Sequence, residues 1–193
     1  MNRIELKSLA KEQIRGNIGM LFISALVMSL IVSAASAITA GIGTIFIAAP
    51  LQIGWILILF GLTEGIKPEV STIFDGFAIY GKALLLYILT AIYVMLWSLL
   101  FFIPGFVKAY SYSMAPYILA ENQNMTASEA INESKRIMNG HKMDLFVLEL
   151  SFIPWLLLCM ITFGIAFIYV APYMDMTRVN FYNKIKNEVC VID

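Results

Sequence analysis

Few residues in this chain are placed where they could do chemistry. Glu149, Asp175 and Arg178 stand out, because each lies in or beside a long apolar run. Ionisable side chains within a hydrophobic thickness commonly mark a pairing or a substrate path. Glu149 follows Gly140 by nine residues, and Asp175 and Arg178 lie on the returning segment. With a rise of about 1.5 Å per residue, Glu149 and Arg178 reach a similar depth, roughly a third of the way into a bilayer. They are expected to pair, with Asp175 bridging, either as a structural group or as the polar lining of a transport site. Tyr112 belongs to a second polar stretch, with Tyr110, Tyr117, Ser111 and Ser113. Those tyrosines either face a wet cavity or anchor the chain at an interface.

Arrangements for catalysis are missing from the sequence pattern. His141 is the only histidine and has no evident nucleophile near it. It is expected to meet a lipid phosphate or to cap the preceding helix, rather than act as a base. Cys159 lies in an apolar run and Cys190 in the charged tail, so neither a disulfide nor a metal site is expected. No glycine-rich phosphate loop follows a strand. The expectation is a protein that is not an enzyme and holds no cofactor.

What positions these residues is a membrane. The chain has 193 residues, of which 60% are hydrophobic and 13% charged. Soluble domains carry roughly 25% charge, so a water-exposed surface is excluded, and the apolar content excludes disorder. The charges are also segregated. Between Arg15 and Glu64 lie 48 uncharged residues, between Lys82 and Lys108 lie 25, and between Glu149 and Asp175 lie 25. A spanning helix needs about 20 apolar residues. The long run is therefore read as two helices turning near 36–43. The other runs divide at Pro104-Gly105 and at Gly164, giving six spans. An even number of spans puts every charge cluster on one side, with 12 of the 13 Lys and Arg residues, and the positive-inside rule makes that side the cytoplasm. Both termini are expected there. Lys108 is left to snorkel to the outer interface. A signal peptide cleaved after Ala35-Ser36-Ala37 is disfavoured by the long acidic-containing leader with Glu5 and Glu12.

A repeat organises the spans. Gly16, Gly81 and Gly140 each end a short amphipathic stretch, and Ala49-Pro50, Ala115-Pro116 and Ala171-Pro172 follow at separations of 34, 35 and 32 residues. The sequence is thus read as three hairpin repeats over about 1–63, 64–122 and 123–186, with a tail at 187–193, all in one membrane domain. Asn2-x-x-Glu5 and Thr126-x-x-Glu129 have capping-box spacing, and Pro68 suits a first helical position. The expected fold is all-α: six transmembrane helices in three hairpins, each preceded by a cytoplasmic amphipathic helix lying in the headgroup plane. Those helices would form a girdle or sense the membrane. Pro50, Pro116 and Pro172 are expected to kink their helices, as packing devices or as the lining of a central cavity. Parallel copies argue against an inverted-repeat transporter and for a pseudo-threefold axis. Mitochondrial carriers share only that plan. Ala25, Ser29, Ser33, Ala37 and Gly41 form a small-residue ladder, suited to close helix packing within the chain or to a homodimer.

Several segments carry a family resemblance: LKSLAKEQIRGN, FDGFAIYGKALLL, IPGFVKAYSYSMAPYILAEN and SKRIMNGHKMDLFVLELSFIPW. Together they resemble domain-of-unknown-function family 975, integral membrane proteins found mostly in Firmicutes, most specifically over 103–155. The resemblance implies a bacterial membrane protein and supplies no activity, substrate or catalytic residue. In general plan the chain is also similar to the membrane domain attached to some glycerophosphodiester phosphodiesterases, whose hydrolase domain it lacks. The resulting expectation is a multi-pass plasma-membrane protein that binds lipid or acts as an accessory scaffold. Its partners would be membrane lipids and a membrane protein or a second copy, with no nucleic acid. The alternative is a small-molecule or lipid transporter with a site near the pseudo-threefold axis.

Overall fold

The computed structural model describes residues 3–39, 43–100 and 102–190. Ten α-helices and one 3₁₀ helix make up the regular structure of these residues. They run α1 (Arg3–Ile14), α2 (Ile18–Thr39), α3 (Thr44–Thr63), the 3₁₀ helix (Val70–Ile79), α4 (Tyr80–Leu100) and α5 (Phe102–Tyr112). The chain continues through α6 (Ala115–Glu121), α7 (Ala127–Ile137), α8 (Lys142–Leu150), α9 (Ile153–Ile161) and α10 (Phe167–Cys190). Asn2 of the expected N-terminal capping box and Gly41 of the small-residue ladder lie outside the described residues.

Four stretches are long and apolar enough to cross a membrane: Ile18–Ile38, Thr44–Thr63, Val70–Leu99 and Lys142–Ile161. The remaining pieces fall short for local reasons. Helices α5 and α6 have 11 and 7 residues and are separated by a turn at Ser113-Met114. Helix α10 has 24 residues but carries Asp175, Arg178, Lys184, Lys186 and Glu188.

Helix α3 is the axis of the packing and touches α1, α2, the 3₁₀ helix, α4, α6 and α10. Its apolar residues surround the whole helix, the pattern of an element covered on all sides, and Leu51, Ile53 and Leu59 are fully buried. Two glycines set its closest crossing. A Cβ added at Gly54 would lie 1.9 Å from the Ile73 carbonyl oxygen, and one at Gly76 would lie 1.9 Å from that of Pro50. Only the absence of both side chains lets the 3₁₀ helix lie backbone to backbone on α3.

Two of the three expected glycine elbows are present. Gly16 (φ +89°) and Gly140 (φ +87°) take the left-handed conformation that glycine adopts without a Cβ penalty. Gly81 does not: it sits inside the first turn of α4, which the 3₁₀ helix enters directly. Pro68 precedes the 3₁₀ helix in an irregular link instead of opening a helix. Pro50 and Pro172 lie inside α3 and α10 as expected of kinking residues, whereas Pro116 stands in the first turn of α6. There its missing N–H has no intrahelical partner to lose, so it starts a helix and kinks none.

The amphipathic helices are docked on protein. Leu6, Ala10 and Ile14 bury one face of α1, which packs along α10. Asn180 Nδ2 donates to Gln13 Oε1 at 2.7 Å, and Lys184 pairs with Glu5 at 3.5 Å. Lys7 donates to the Ser151 carbonyl at 2.9 Å and lies 4.0 Å from the Phe152 ring centroid. Burial there, together with the neighbouring charge of Arg3, holds its ammonium below the usual lysine pKa. In α7 the capping box is formed as the sequence spacing predicts, with Thr126 and Glu129 exchanging hydrogen bonds. Its buried face (Ala127, Ala130, Ile131, Ser134, Ile137) meets α4, α5 and α6. Protein therefore occupies much of the apolar face of α1 and of α7, whereas Leu9 of α1 and Phe74, Phe77 and Tyr80 of the middle amphipathic stretch are exposed.

Candidate functional site

Glu149, Asp175 and Arg178 come together. Asp175 and Arg178 are three residues apart on α10, so both project from one helix face. Glu149 reaches them from the last turn of α8. Arg178 Nη2 donates to Glu149 Oε1 at 2.9 Å, and Nη1 to Asp175 Oδ1 at 3.3 Å. Each carboxylate has a second donor. The Tyr110 hydroxyl of α5 donates to Glu149 Oε2 at 2.7 Å, and the Trp55 indole N–H of α3 donates to Asp175 Oδ2 at 3.0 Å. Four helices thus meet on one guanidinium.

The group is only partly enclosed, with side-chain exposures of 36% for Arg178, 29% for Glu149 and 30% for Asp175. Lys7 reaches the Ser151 carbonyl two residues beyond Glu149, so a further charged side chain lies close by on α1. Chemically, the arrangement is an ion pair with its lone pairs satisfied, and both carboxylates are already spoken for by charge-assisted hydrogen bonds. Such a group locks helices in register. Tyr110 and Trp55 escaped sequence reasoning as its partners, because each lies on a helix distant in the chain.

Tyr112 is elsewhere. It is buried between α4 and α7, with its ring centroid 6.0 Å from that of Tyr93. The Lys135 ammonium of α7 lies 5.5 Å from the Tyr112 ring and 5.7 Å from the Tyr93 ring, within cation–π range. Tyr112 and Pro116 line a cavity of about 200 Å³ with Gln52, Tyr87, Thr90 and Ser113. The buried Tyr87 hydroxyl there has no hydrogen-bond partner. Pro172 lines a different, apolar groove beside α2, and the Pro50 carbonyl faces Gly76.

Other sequence candidates find local roles. His141 stands between Asp144 (Nδ1 to Oδ2, 3.4 Å) and Glu188 (Nε2 to Oε2, 3.9 Å). Lys108 lies over the Trp97 ring at 4.7 Å. Of the small-residue ladder of α2, Ala25 packs against the core, while Ser29, Ser33 and Ala37 are exposed; Leu21, Ser24 and Ala35 form the buried side. The small residues that carry the packing are thus largely not those of the four-residue ladder, a rotation that hydropathy alone does not reveal.

Fold and site together define an all-helical protein with four helices long and apolar enough for a membrane, cross-tied by one ion-pair group. Over residues 102–189 the chain matches the model of a family described as a protein of unknown function (DUF975), and so resembles that family as its sequence segments indicated. That stretch contains Tyr110, Glu149, Asp175 and Arg178. No curated protein and no solved structure matches the chain.

Proposed function

We propose that the chain is a multi-pass protein of a bacterial plasma membrane, with six membrane-entering segments in three hairpins, both termini cytoplasmic, and a non-catalytic role as a lipid-binding scaffold. The observation that carries this reading is the polarity of its exposed surface. Ile38, Leu99 and Phe163, where α2, α4 and the α8–α9 pair end, are 84%, 81% and 98% exposed. The opposite ends of the same helices adjoin α1 and α7, which carry Lys and Arg, and the 3₁₀ helix, which is flanked by Lys67 and Lys82. Apolar side chains on that scale are stable in hydrocarbon, and the basic end suits the anionic cytoplasmic leaflet. Helices α1 and α7 brace the hairpins at that leaflet.

The reading is tested by extracting the protein in native nanodiscs, identifying retained lipid and partner proteins by mass spectrometry, and probing both termini with protease in intact cells. Retention of lipid and protection of both termini are expected. A protein carrying neither lipid nor partner, or a terminus cleaved from outside, overturns it.

Transport is the second reading, and the cavity of about 200 Å³ lined by Gln52, Thr90, Tyr112 and Ser113 favours it, because polar groups among spanning helices are costly. In that reading, replacing the cavity residues Gln52 or Thr90 by Ala abolishes uptake in liposomes while the fold survives. Unchanged uptake removes those residues from any transport path.

A further inference from the structure

The corner where α1 turns into α2 beside α10 holds two adjoining recesses of opposite character. The outer one, of about 550 Å³, is lined by Ser8, Lys11, Glu12, Arg15, Ile18 and Tyr169. The inner one, of about 310 Å³, begins one helical turn further along α2 at Leu21 and Phe22, and is faced by Gly164, Phe167 and Ile168, the last of them the neighbour of Tyr169. Its walls continue through Ala25, Leu26 and Ser29 on one side and Ala171 and Pro172 on the other. From Ile18 to Ser29 the path follows about 16 Å of helix.

The charges of the outer recess do not cancel. Lys11 and Arg15 contribute two positive charges against one from Glu12. Among the described residues neither cation is ion-paired; Lys11 only lies 5.6 Å from the Trp155 ring. One net positive charge beside an apolar groove matches one phosphodiester followed by an acyl chain. Glu12 adds an acceptor for a headgroup hydroxyl and disfavours a doubly charged phosphate. The groove owes its space to the small residues Ala25 and Ser29, which a helix packed on protein would have covered.

We propose that this corner seats one anionic phospholipid with a hydroxyl-bearing headgroup, its phosphodiester held by Lys11 and Arg15 and an acyl chain lying between α2 and α10. The seat rests on the lipid-binding reading above and assigns it a place. It also gives the α1 helix a task beyond bracing, since docking on α10 is what brings Lys11 and Arg15 to the mouth of the groove.

The test uses the full chain reconstituted in vesicles of equal phosphatidylglycerol and phosphatidylcholine, followed by native mass spectrometry of the retained lipid. Wild-type protein is expected to retain phosphatidylglycerol preferentially. K11A/R15A should lose that preference by roughly thirtyfold, since each of the two basic residues near an anionic surface contributes about 1 kcal/mol. A25L/S29L, which fills the groove, should lose the tightly held lipid of either kind. Equal preference in K11A/R15A, or full retention by A25L/S29L, overturns the seat. Wild-type protein that keeps no lipid removes the broader reading as well, whereas lipid kept equally by all variants removes only the seat. Folding of the variants is covered by a measurement on the wild type: a phosphatidylglycerol with a photoreactive tail should label α2 and α10. Labelling elsewhere, or a crosslink showing a second copy in the groove, overturns the proposal.

Discussion

Helices α2 and α3 are neighbours of similar length and nearly equal apolarity, yet they occupy opposite situations. Their mean hydropathies are 2.4 and 2.2, but 17% of the most apolar window of α2 is buried inside the protein against 56% for α3. Hydropathy reports only that each helix avoids water; lipid and protein satisfy that demand equally. What separates them is shape. Helix α3 has a glycine where the 3₁₀ helix crosses it, so the two backbones approach closely there, and α4 and α6 pack on the same axis. Helix α2 buries Ser24 and Ala35 but turns Ser29 outward, and with Ala25 it leaves a groove there.

The strongest way to break this contrast is at the crossing. Gly76→Val would force a side chain into the Pro50 carbonyl and the Gly54 N–H, 1.9 Å and 2.8 Å from its Cβ. Overpacking usually costs ~1–3 kcal/mol, and backbone on both sides cannot yield, so the cost should reach at least the upper end. Loss of folded, monodisperse protein in detergent is the expected result. Gly19→Ala on α2, where nothing lies within 4 Å, is the control and should leave the thermal midpoint within the small change typical of surface sites.

Leucine truncation tests the same difference more gently. Leu51→Ala on α3 removes a fully buried side chain and should cost about 2 kcal/mol, read as reduced resistance to denaturant. Leu30→Ala on α2, 60% exposed, should be near neutral. Equal effects at the two sites would mean that α2 is packed against a partner in the membrane.

Arg178→Met asks whether the ion-pair group ties α3 into the C-terminal half. It leaves Glu149 and Asp175 facing each other with only Tyr110 and Trp55 as donors. Removing one partner of a fully buried pair costs 3–5 kcal/mol, and the partial exposure of this group reduces that to roughly 1–2 kcal/mol. Adding Glu149→Gln and Asp175→Asn should recover part of the loss, because the stranded charges are then gone.

The smallest effect belongs to α7. The N–H and hydroxyl of Thr126 hold the Glu129 carboxyl below its usual pKa. The sign follows: this stabilisation is fully present above the ordinary glutamate value and is lost as pH falls through the lowered one. Glu129→Gln should lower the melting temperature slightly at neutral pH, where the stabilisation is fully present, and should remove the fall that the wild type shows as pH drops below the ordinary value.

Much of the plan was readable without coordinates. The uncharged runs located the apolar helices, Gly16 and Gly140 announced two elbows, and Thr126-x-x-Glu129 announced the start of α7. Depth arithmetic was enough to bring Glu149 and Arg178 together, because both lie at counted distances from the same hairpin. The third elbow misled: Gly81 shares the spacing of the other two, but the 3₁₀ helix feeds α4 without a reversal, so no left-handed residue is needed. Tyr112 lines a cavity, one of its two expected situations, but apart from the Arg178 group, a separation that counting along the chain cannot set.

Segregation of charge and length of apolar runs are one-dimensional properties, and they bound this chain to a helical membrane-type protein before any contact is known. Which helix becomes the axis is a three-dimensional property. It depends on where two backbones can touch, at Gly54 and Gly76, and on which donors arrive from distant helices, as Trp55 does at Asp175 and Tyr110 at Glu149. Hydrophobic attraction has no direction, so α2 and α3 were interchangeable in the sequence; steric fit and hydrogen-bond geometry are directional, and they made α3 the core and left α2 a wall.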